Sequence, residues 1–540
     1  MINGQIFKDS IISAANNISN QKKFVNSLNV FPIPDGDTGF NIAKTMNAAK
    51  TVLVSLHNDV NVCDVIKVTA SSLLRGARGN SGAIISLIFR GFNKALEKKK
   101  MATALDFSKA LKCAADIAYG AVSKPTEGTM LTVIRLVANE SEKFAKESNN
   151  FQEFWAKVCE KAQEVLETTP DLLPILAESG VVDSGAQGLV IIFEGMKSVF
   201  ENTEIIKLTQ EETISEKVTI SSVQNENAFC YCTEFLVEKL KKDLNTKQLE
   251  EYLNKLGDSV ILVDDNNVIK VHVHTNHPGL ILEKALELGP LNSIKIDNES
   301  AAVKKTTNTE KNQFVYKTVD ENINYGFVAV ASGPGICDLF QSLGVNNIVQ
   351  GGQTMNPSTE EILQAIEATP SKTVFVLPNN KNVIMTAEQT INLADRAVIV
   401  LPSRTVPHGI AALLSFDESI ETKKNQLVML EAIEKVKTGL ITNAVKNSKI
   451  AGNEIKAGDV IAIENGKIKF VAEDYLKACL KLIKSMVKKH NNYITIFCGQ
   501  NIDKATAENL ENQVKTKHNN FEINIINGGQ PIYPFIISIE

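Results

Sequence analysis

The sequence predicts a multidomain protein with an all-α N-terminal part, a small α+β middle part and an α/β C-terminal part. Three observations predict it. Through the first 200 residues apolar side chains recur at helical spacing, with no alternating run rich in β-branched residues among them. Beyond about residue 230, strand-like runs alternate with helical ones. Two polar stretches, near 208–217 and 301–323, separate these textures as linkers. The expected domains are 1–202, 217–300 and 322–540, and 540 residues are enough for each to hold its own core.

In the first domain Phe7, Ile11, Ala14, Ile18, Val25 and Leu28 line one helix face, and Ile42, Thr45, Met46, Ala49, Leu53 and Leu56 line a second. Helical runs follow over about 64–74, 81–97, 106–122, 130–146, 151–167 and 187–201. About eight helices joined by glycine-rich turns predict a helical bundle or barrel. In the middle domain a strand at Cys230 to Val237, a helix over 240–256, strands at 259–263 and 268–274, a helix over 279–288 and a strand at 293–296 follow in turn. That β-α-β-β-α-β order is the one used by a ferredoxin-like sandwich. From Tyr325 onward Phe327 to Ala331, Asn347 to Gln350, Thr373 to Leu377 and Ala397 to Leu401 are short apolar runs between helices, which predicts a parallel sheet. A hairpin about Asn465-Gly466, a helix over 475–489 and strands at 493–498 and 533–539 complete the chain.

Composition narrows the function classes. Apolar residues make up 44% and charged residues 22%, the balance of a soluble globular chain rather than a disordered one. A net charge of −5 offers no global polycation, so no nucleic-acid partner is expected. The first residues lack a basic and apolar leader, and no run approaches the length of a membrane span. Eight cysteines without framework spacing fit a reducing compartment. The expectation is a cytoplasmic protein with no integral membrane association.

The densest cluster of chemistry is Asn29-Val30-Phe31-Pro32-Ile33-Pro34-Asp35-Gly36-Asp37-Thr38-Gly39-Phe40-Asn41. Two prolines force an extended approach, and Gly36 lets Asp35 and Asp37 crowd together before a helix begins. Paired hard oxygen ligands beside a helix N-terminus suit Mg²⁺ shared with a phosphate. The same residues also serve as an ordinary turn in which Asp37 or Thr38 caps the helix. Arg75-Gly76-Ala77-Arg78-Gly79-Asn80-Ser81-Gly82, Pro125-Thr126-Glu127-Gly128-Thr129-Met130 and Val182-Asp183-Ser184-Gly185-Ala186-Gln187-Gly188 each open a further helix. Small residues at a helix start leave unpaired N–H donors accessible to anions. Four such loops in one helical domain favour nucleotide binding. The Gly-x-x-x-x-Gly-Lys-Ser/Thr pattern of a P-loop is absent from the sequence.

These residues match a known family. Asn29 to Asn41, with the Gly79-Asn80-Ser81-Gly82, Gly128-Thr129-Met130 and Asp183-Ser184-Gly185-Ala186 loops, resembles the DhaL-type nucleotide-binding domain of dihydroxyacetone kinases over about residues 1–200. The Asn-Val-Phe-Pro-x-Pro-Asp-Gly-Asp-Thr-Gly form is similar to the ATP-binding subunits of bacterial fatty-acid kinases, whose order of DhaL-like, middle and DegV-like regions extends the resemblance over the chain. The resemblance implies an antiparallel eight-helix barrel holding ATP with two Mg²⁺ ions. It implies Asp35 and Asp37 as metal ligands, with Asn29 the available oxygen where dihydroxyacetone kinases place a third aspartate. Thr38, Asn41, Ser81, Gly82, Gly128, Thr129, Met130, Asp183 and Gly185 are then expected around the nucleotide, and Arg75 and Arg78 are expected to neutralise charge on the transferred phosphate.

In the middle domain His272 and His274 alternate with Val271 and Val273, so both imidazoles belong to one strand face. Two imidazoles and a thiolate can make an open Zn²⁺ site, with Cys232 the nearest thiolate in the pattern and Cys230 and His277 in reserve. The resemblance points to the same Cys232, His272 and His274 set. In the C-terminal domain Ala331-Ser332-Gly333-Pro334-Gly335, Gly351-Gly352-Gln353-Thr354 and Ser403-Arg404, with His408 beyond, occupy switch-point positions where α/β sheets bind ligands or simply turn. The combined expectation is the Mg-ATP-dependent component of a kinase whose acceptor is the carboxylate of a fatty acid presented by a DegV-type lipid-binding protein. A homodimer is the self-association left open. Two rivals stand beside it: a dihydroxyacetone (glycerone)-type kinase, and an ATP-binding scaffold without turnover.

Overall fold

The computed structural model describes residues 1–29, 36–57, 59–122, 125–209, 231–239, 247–264, 268–298, 314–352, 355–444, 448–450, 453–456, 458–488, 492–518 and 520–540. The chain forms two compact units: Met1–Gln210 together with Phe314–Glu540, and Glu211–Gln313.

The helical part of the first unit runs α1 (Gly4–Leu28), α2 (Thr38–Val54), α3 (Val62–Gly76), α4 (Gly79–Leu96), α5 (Ala104–Ala121), α6 (Met130–Glu147), α7 (Phe151–Glu167), α8 (Thr169–Leu172), α9 (Pro174–Ser179) and α10 (Ser184–Asn202). Local chemistry sets several starts. The Asn3 side chain accepts from Ile6 N–H, Thr103 and Asp106 form a reciprocal capping box, and Asn150 accepts from Glu153 N–H. The two short helices were not expected; each begins with a proline in its first turn and is too brief to show a period. Each of α1 to α7 packs on the next, and α10 packs on both α7 and α1, so the neighbour relations close around one apolar core. Phe107 lies at its heart, with ring centroids of Phe7, Phe151 and Trp155 at 5.3, 4.9 and 5.7 Å. The buried Trp155 indole donates to the Phe193 carbonyl at 3.1 Å, so burying it leaves no donor unmet. After α10 the chain doubles back along α1, where Asn16 and Asn20 donate to the carbonyls of Ile206 and Lys207.

The C-terminal part of this unit holds two sheets. β5 (Tyr325–Ala331), α13 (Pro334–Ser342), β6 (Asn347–Gln350), α14 (Thr359–Glu367), β7 (Thr373–Leu377), α15 (Lys381–Glu388) and β8 (Ala397–Val400) build a parallel sheet of order β6-β5-β7-β8. Next come α16 (Val406–Leu414), α17 (Thr422–Lys435), β9 (Lys437–Asn443) and a small ladder of β10 (Ser448–Ile450) and β11 (Asn453–Ile455). Then follow β12 (Val460–Glu464), β13 (Lys467–Ala472), α18 (Tyr475–Met486), β14 (Tyr493–Cys498), α19 (Lys504–Lys517), β15 (Glu522–Asn527) and β16 (Phe535–Ile539). The six longer strands form a mixed sheet, β13-β12-β9-β16-β14-β15, antiparallel except between β14 and β15. The parallel expectation therefore holds for 325–400 and not beyond, because hairpin and return connections after β9 reverse strand direction. Asn465 and Gly466 turn the β12–β13 hairpin at φ of 47° and 81°.

The second unit contains β1 (Tyr231–Glu238), α11 (Lys247–Leu256), β2 (Gly257–Asp264), β3 (Val268–Thr275), α12 (Pro278–Leu286) and β4 (Leu291–Asn298), in antiparallel order β2-β3-β1-β4. Its core is Phe235, Val237, Leu249, Leu253, Ile269, Val271, Val273, Ile281 and Ala285. Among the described residues no helix is long and apolar enough to cross a membrane.

Candidate functional site

Three of the sequence loops meet at the starts of α2, α6 and α10. Ser184 at the start of α10 donates its hydroxyl to Thr38 Oγ1 at 3.3 Å, and Asn29 Nδ2 reaches the same oxygen at 3.0 Å. The backbone N–H of Met130, at the start of α6, donates to the Asp183 carboxylate. The fourth loop adjoins through Gly79 at the start of α4: a side-chain carbon there would lie 2.8 Å from Asn41 Nδ2 and 3.3 Å from Asn356 Nδ2. With φ of +59°, Gly79 holds a left-handed turn that also keeps space for these two amides.

Asp37 is buried, at 5% exposure, yet it does not cap α2 with its side chain. The amides of Gly39 and Phe40 are taken by Asn26 Oδ1 at 2.7 and 3.2 Å. A simple capping role is therefore filled by another residue. The carboxylate instead receives Asn356 Nδ2 at 2.6 Å. Asn29 and Asn41 are also buried beside it in sequence and space. Asp35 lies outside the described residues.

Asp183 caps α10, its Oδ1 accepting from Ala186 N–H at 2.7 Å. The residue keeps some exposure, but its carboxyl sits among enough protein atoms that burial pushes it up to about 6, against the N–H groups of Ala186, Met130 and Gly185 that hold it down. Gly128 takes φ of +80° against Leu173 and Thr169 of α8 and its exit, and its N–H donates to Thr132 Oγ1 at 2.9 Å. Thr129 caps α6, with its hydroxyl accepting from Leu131 N–H and donating to the Thr126 carbonyl. Met130 is buried, Ser81 partly exposed, and Gly82 and Gly185 lie in the first turns of α4 and α10. Asn29, Thr38, Asn41, Gly79, Met130, Asp183 and Gly185 are thus brought around one end of the helical part.

Arg75 and Arg78 lie where the helical part meets the C-terminal part. Arg78 grips Glu361 of α14 with both terminal nitrogens, at 2.9 and 3.2 Å, and donates to the Asn356 carbonyl at 2.9 Å. Arg75 pairs with Glu360 at 2.7 Å on the exposed rim. Burial pushes Glu361 up, but Arg78 and the Ser358 N–H and hydroxyl hold it below the usual carboxylate range. Both guanidiniums tie the helical part to the C-terminal part. Thr359 N–H donates to the Ala77 carbonyl at 3.2 Å, and Gln389 Nε2 donates to Ser86 at 3.0 Å, in the same seam.

Asn356 was missed by sequence reasoning. The only local signal was Ser358 with Glu361, a capping-box spacing, which forecasts a helix start and not a contact with Asp37. The zinc expectation falls on the side chains of Cys232, His272 and His274, which lie outside the described residues, as does Cys230. The backbone register does set Cys232 opposite His274 and Glu234 opposite His272. Among the described residues no group of three or more His, Cys, Asp or Glu is placed to hold a metal. At the C-terminal switch points Ser403 accepts from Asn379 N–H at 3.0 Å, and burial pushes the His408 imidazole down to about 4. Gln353 and Thr354 lie outside the described residues.

Three family models match the chain: the DAK2 domain over 32–198, the FakA-like fatty acid kinase middle domain over 228–306, and the FakA-like fatty acid kinase C-terminal domain over 326–540. Protein YloV of Bacillus subtilis (strain 168) is 37% identical over 549 residues, covering 100% of this chain and 99% of that protein. Among solved structures, the DegV family protein Cg2579 from Corynebacterium glutamicum is 14% identical with a TM-score of 0.31, covering 41% of this chain and 97% of that one. The dihydroxyacetone kinase from C. freundii, in complex with AMP-PNP and Mg²⁺, is 19% identical with a TM-score of 0.28, covering 35% of this chain and 33% of that one. Each of these two structural likenesses spans less than half of the chain.

Proposed function

The chain belongs to the FakA-like fatty acid kinase family, and from that premise we propose that it is the Mg-ATP-dependent component of a kinase that phosphorylates a fatty-acid carboxylate to an acyl-phosphate. Its domains are those of a phosphotransferase. The acceptor is presented by a separate DegV-type lipid-binding protein. The observation that carries this reading is the meeting of the Thr38, Gly79, Met130 and Asp183 helix starts beside the buried, non-capping Asp37. Anions favour such starts, since first-turn N–H groups and the helix dipole both point toward them.

The donor set fits Mg²⁺. Asp37 offers a buried carboxylate, and the side chains of Asn29, Thr38 and Asn41 add hard oxygens beside it. A Mg²⁺ ion keeps water and phosphate among its ligands, so a dedicated cage of three carboxylates is not required. When bound, the metal supplies electrostatic stabilisation of the phosphates. Asp35, by its place in the motif, is proposed to share the ligation with Asp37. Gly79 lets the backbone approach closely, and the Thr38, Ser184 and Asn29 hydrogen bonds fix the α2 start against α10. A fatty-acid carboxylate is ionised at neutral pH, so the chain need not supply a strong general base. Its task is alignment, where an ångström of error costs about a hundredfold in rate.

Zinc at Cys232, His272 and His274 is proposed for the middle unit, supported by the register that sets Cys232 opposite His274. Metal analysis should find about one zinc per chain, lost when both histidines are replaced; full retention removes the site. The kinase reading is tested by coupled ADP release from the full chain. ADP formation should require fatty acid on its carrier protein and vanish in Asp37→Ala, whereas turnover with dihydroxyacetone alone would favour the polyol-kinase rival.

A further inference from the structure

Asp37 belongs to the helical part, but the group that holds its carboxylate comes from the other end of the chain. Asn356 precedes α14, is 2% exposed, and donates Nδ2 to Asp37 Oδ2 at 2.6 Å across a sequence separation of 319 residues. A hydrogen bond to an ionised carboxylate at that length is of the strong, charge-assisted kind. Two further contacts hold Asn356 in place. Its own carbonyl accepts from Arg78 Nη1 at 2.9 Å, and Arg78 pairs with Ser358 in an antiparallel bridge. The Asn356 amide also closes on the Gly79 turn, within 3.3 Å of where a side-chain carbon would stand. One atom is left over. Among the described residues Asn356 Oδ1 is buried without a hydrogen-bond partner, an arrangement that native interiors rarely tolerate without a ligand or water to complete it.

We propose that the C-terminal part completes the Mg-nucleotide site by supplying Asn356, which positions the Asp37 carboxylate for metal and presents Oδ1 to the metal's hydration shell or the phosphates. The inference rests on the reading of Asp37 as a Mg²⁺ ligand and adds to it a positioning residue outside the helical part. The amide anchors one carboxylate oxygen of Asp37 and so fixes the orientation of the carboxylate. Because the Asn356 carbonyl is held by Arg78, metal-nucleotide binding and this one contact of the seam are linked, and each should strengthen the other.

Outer-sphere partners of this kind change metal affinity by about ten- to a hundredfold when removed. The test is Mg²⁺ titration of ADP binding to the full chain by calorimetry, with melting temperature as the fold check. Asn356→Ala should raise the Mg²⁺ needed for half-maximal ADP binding by about tenfold or more. Asn356→Ser, too short to reach Asp37, should do the same and serves if the alanine variant does not fold. Glu360→Gln loosens the seam at its exposed rim, away from Asp37, and should leave the Mg²⁺ requirement unchanged. An unchanged Mg²⁺ requirement in the folded Asn356 variants, with Asp37→Ala abolishing Mg-dependent binding, overturns the role of Asn356 and leaves the site reading standing. Retained Mg-dependent binding in Asp37→Ala overturns both.

Discussion

Replacing Asp183 by asparagine should alter the pH dependence of stability in a direction fixed by the buried site. In the folded protein burial raises the carboxyl from 3.8 to about 6. The folded chain therefore holds this proton more tightly than the unfolded chain. Below pH 3.8 both states are protonated and the group is neutral in its effect. As pH rises from 3.8 to about 6 the unfolded state gives up the proton first, and folding loses about 3 kcal/mol, complete above pH 6. Asparagine keeps an acceptor for Ala186 N–H but does not titrate, so its own cost is constant with pH. The unfolding free energy of Asp183→Asn minus that of the native chain should thus climb by about 3 kcal/mol between pH 4 and 6, then level off. Trp155 is the chain's single tryptophan and lies in the helical core, so urea unfolding of the nucleotide-free protein can be followed by its fluorescence. A difference that stays flat across this window would refute the claim that burial dominates the three N–H donors.

Other outcomes follow from neighbouring residues. Gly79→Ala forces alanine into a left-handed turn, costing about 1–2 kcal/mol, and crowds Asn41; calorimetry should show ADP binding weakened at least about fivefold, with near-native affinity counting against a nucleotide at this turn. Arg78→Ala should destabilise the first unit by about 1 kcal/mol, since the Glu361 pair is only partly buried, and calorimetry should show a reduced Mg-ADP affinity as Asn356 loses its anchor. Because Arg78 keeps Glu361 below its usual range, the contribution of this pair is present above pH 4.5 and is lost as pH falls through the folded value; a native-minus-Arg78→Ala stability difference that does not shrink in acid would contradict that.

Helical spacing made the long helices legible, and their ends came close because Asn3, Thr103, Thr129, Asn150 and Asp183 are capping residues written beside the apolar pattern. The sheet after β9 was less legible, since an alternating run such as Lys467–Ala472 reveals a strand but not its partner or direction. At the site, glycine and aspartate loops were visible because their backbone demands restrict residue choice. The pairing of Arg75 and Arg78 with Glu360 and Glu361 was not legible, because a cation beside an anion loop reads the same whether it faces a phosphate or carboxylates. Asn356 was invisible for a plainer reason: its partner is 319 positions away, and asparagine before proline reads as a turn.

The central claim is transfer of phosphate to a carboxylate, and trapping the product tests it most directly. Full-length protein, Mg-ATP and a DegV-type carrier loaded with fatty acid should be incubated with hydroxylamine, which converts an acyl-phosphate to a hydroxamate and releases phosphate. The account predicts hydroxamate in step with ADP, absent without carrier or fatty acid and absent in Asp37→Ala. ADP formed without hydroxamate, or hydroxamate undiminished in Asp37→Ala, would contradict it.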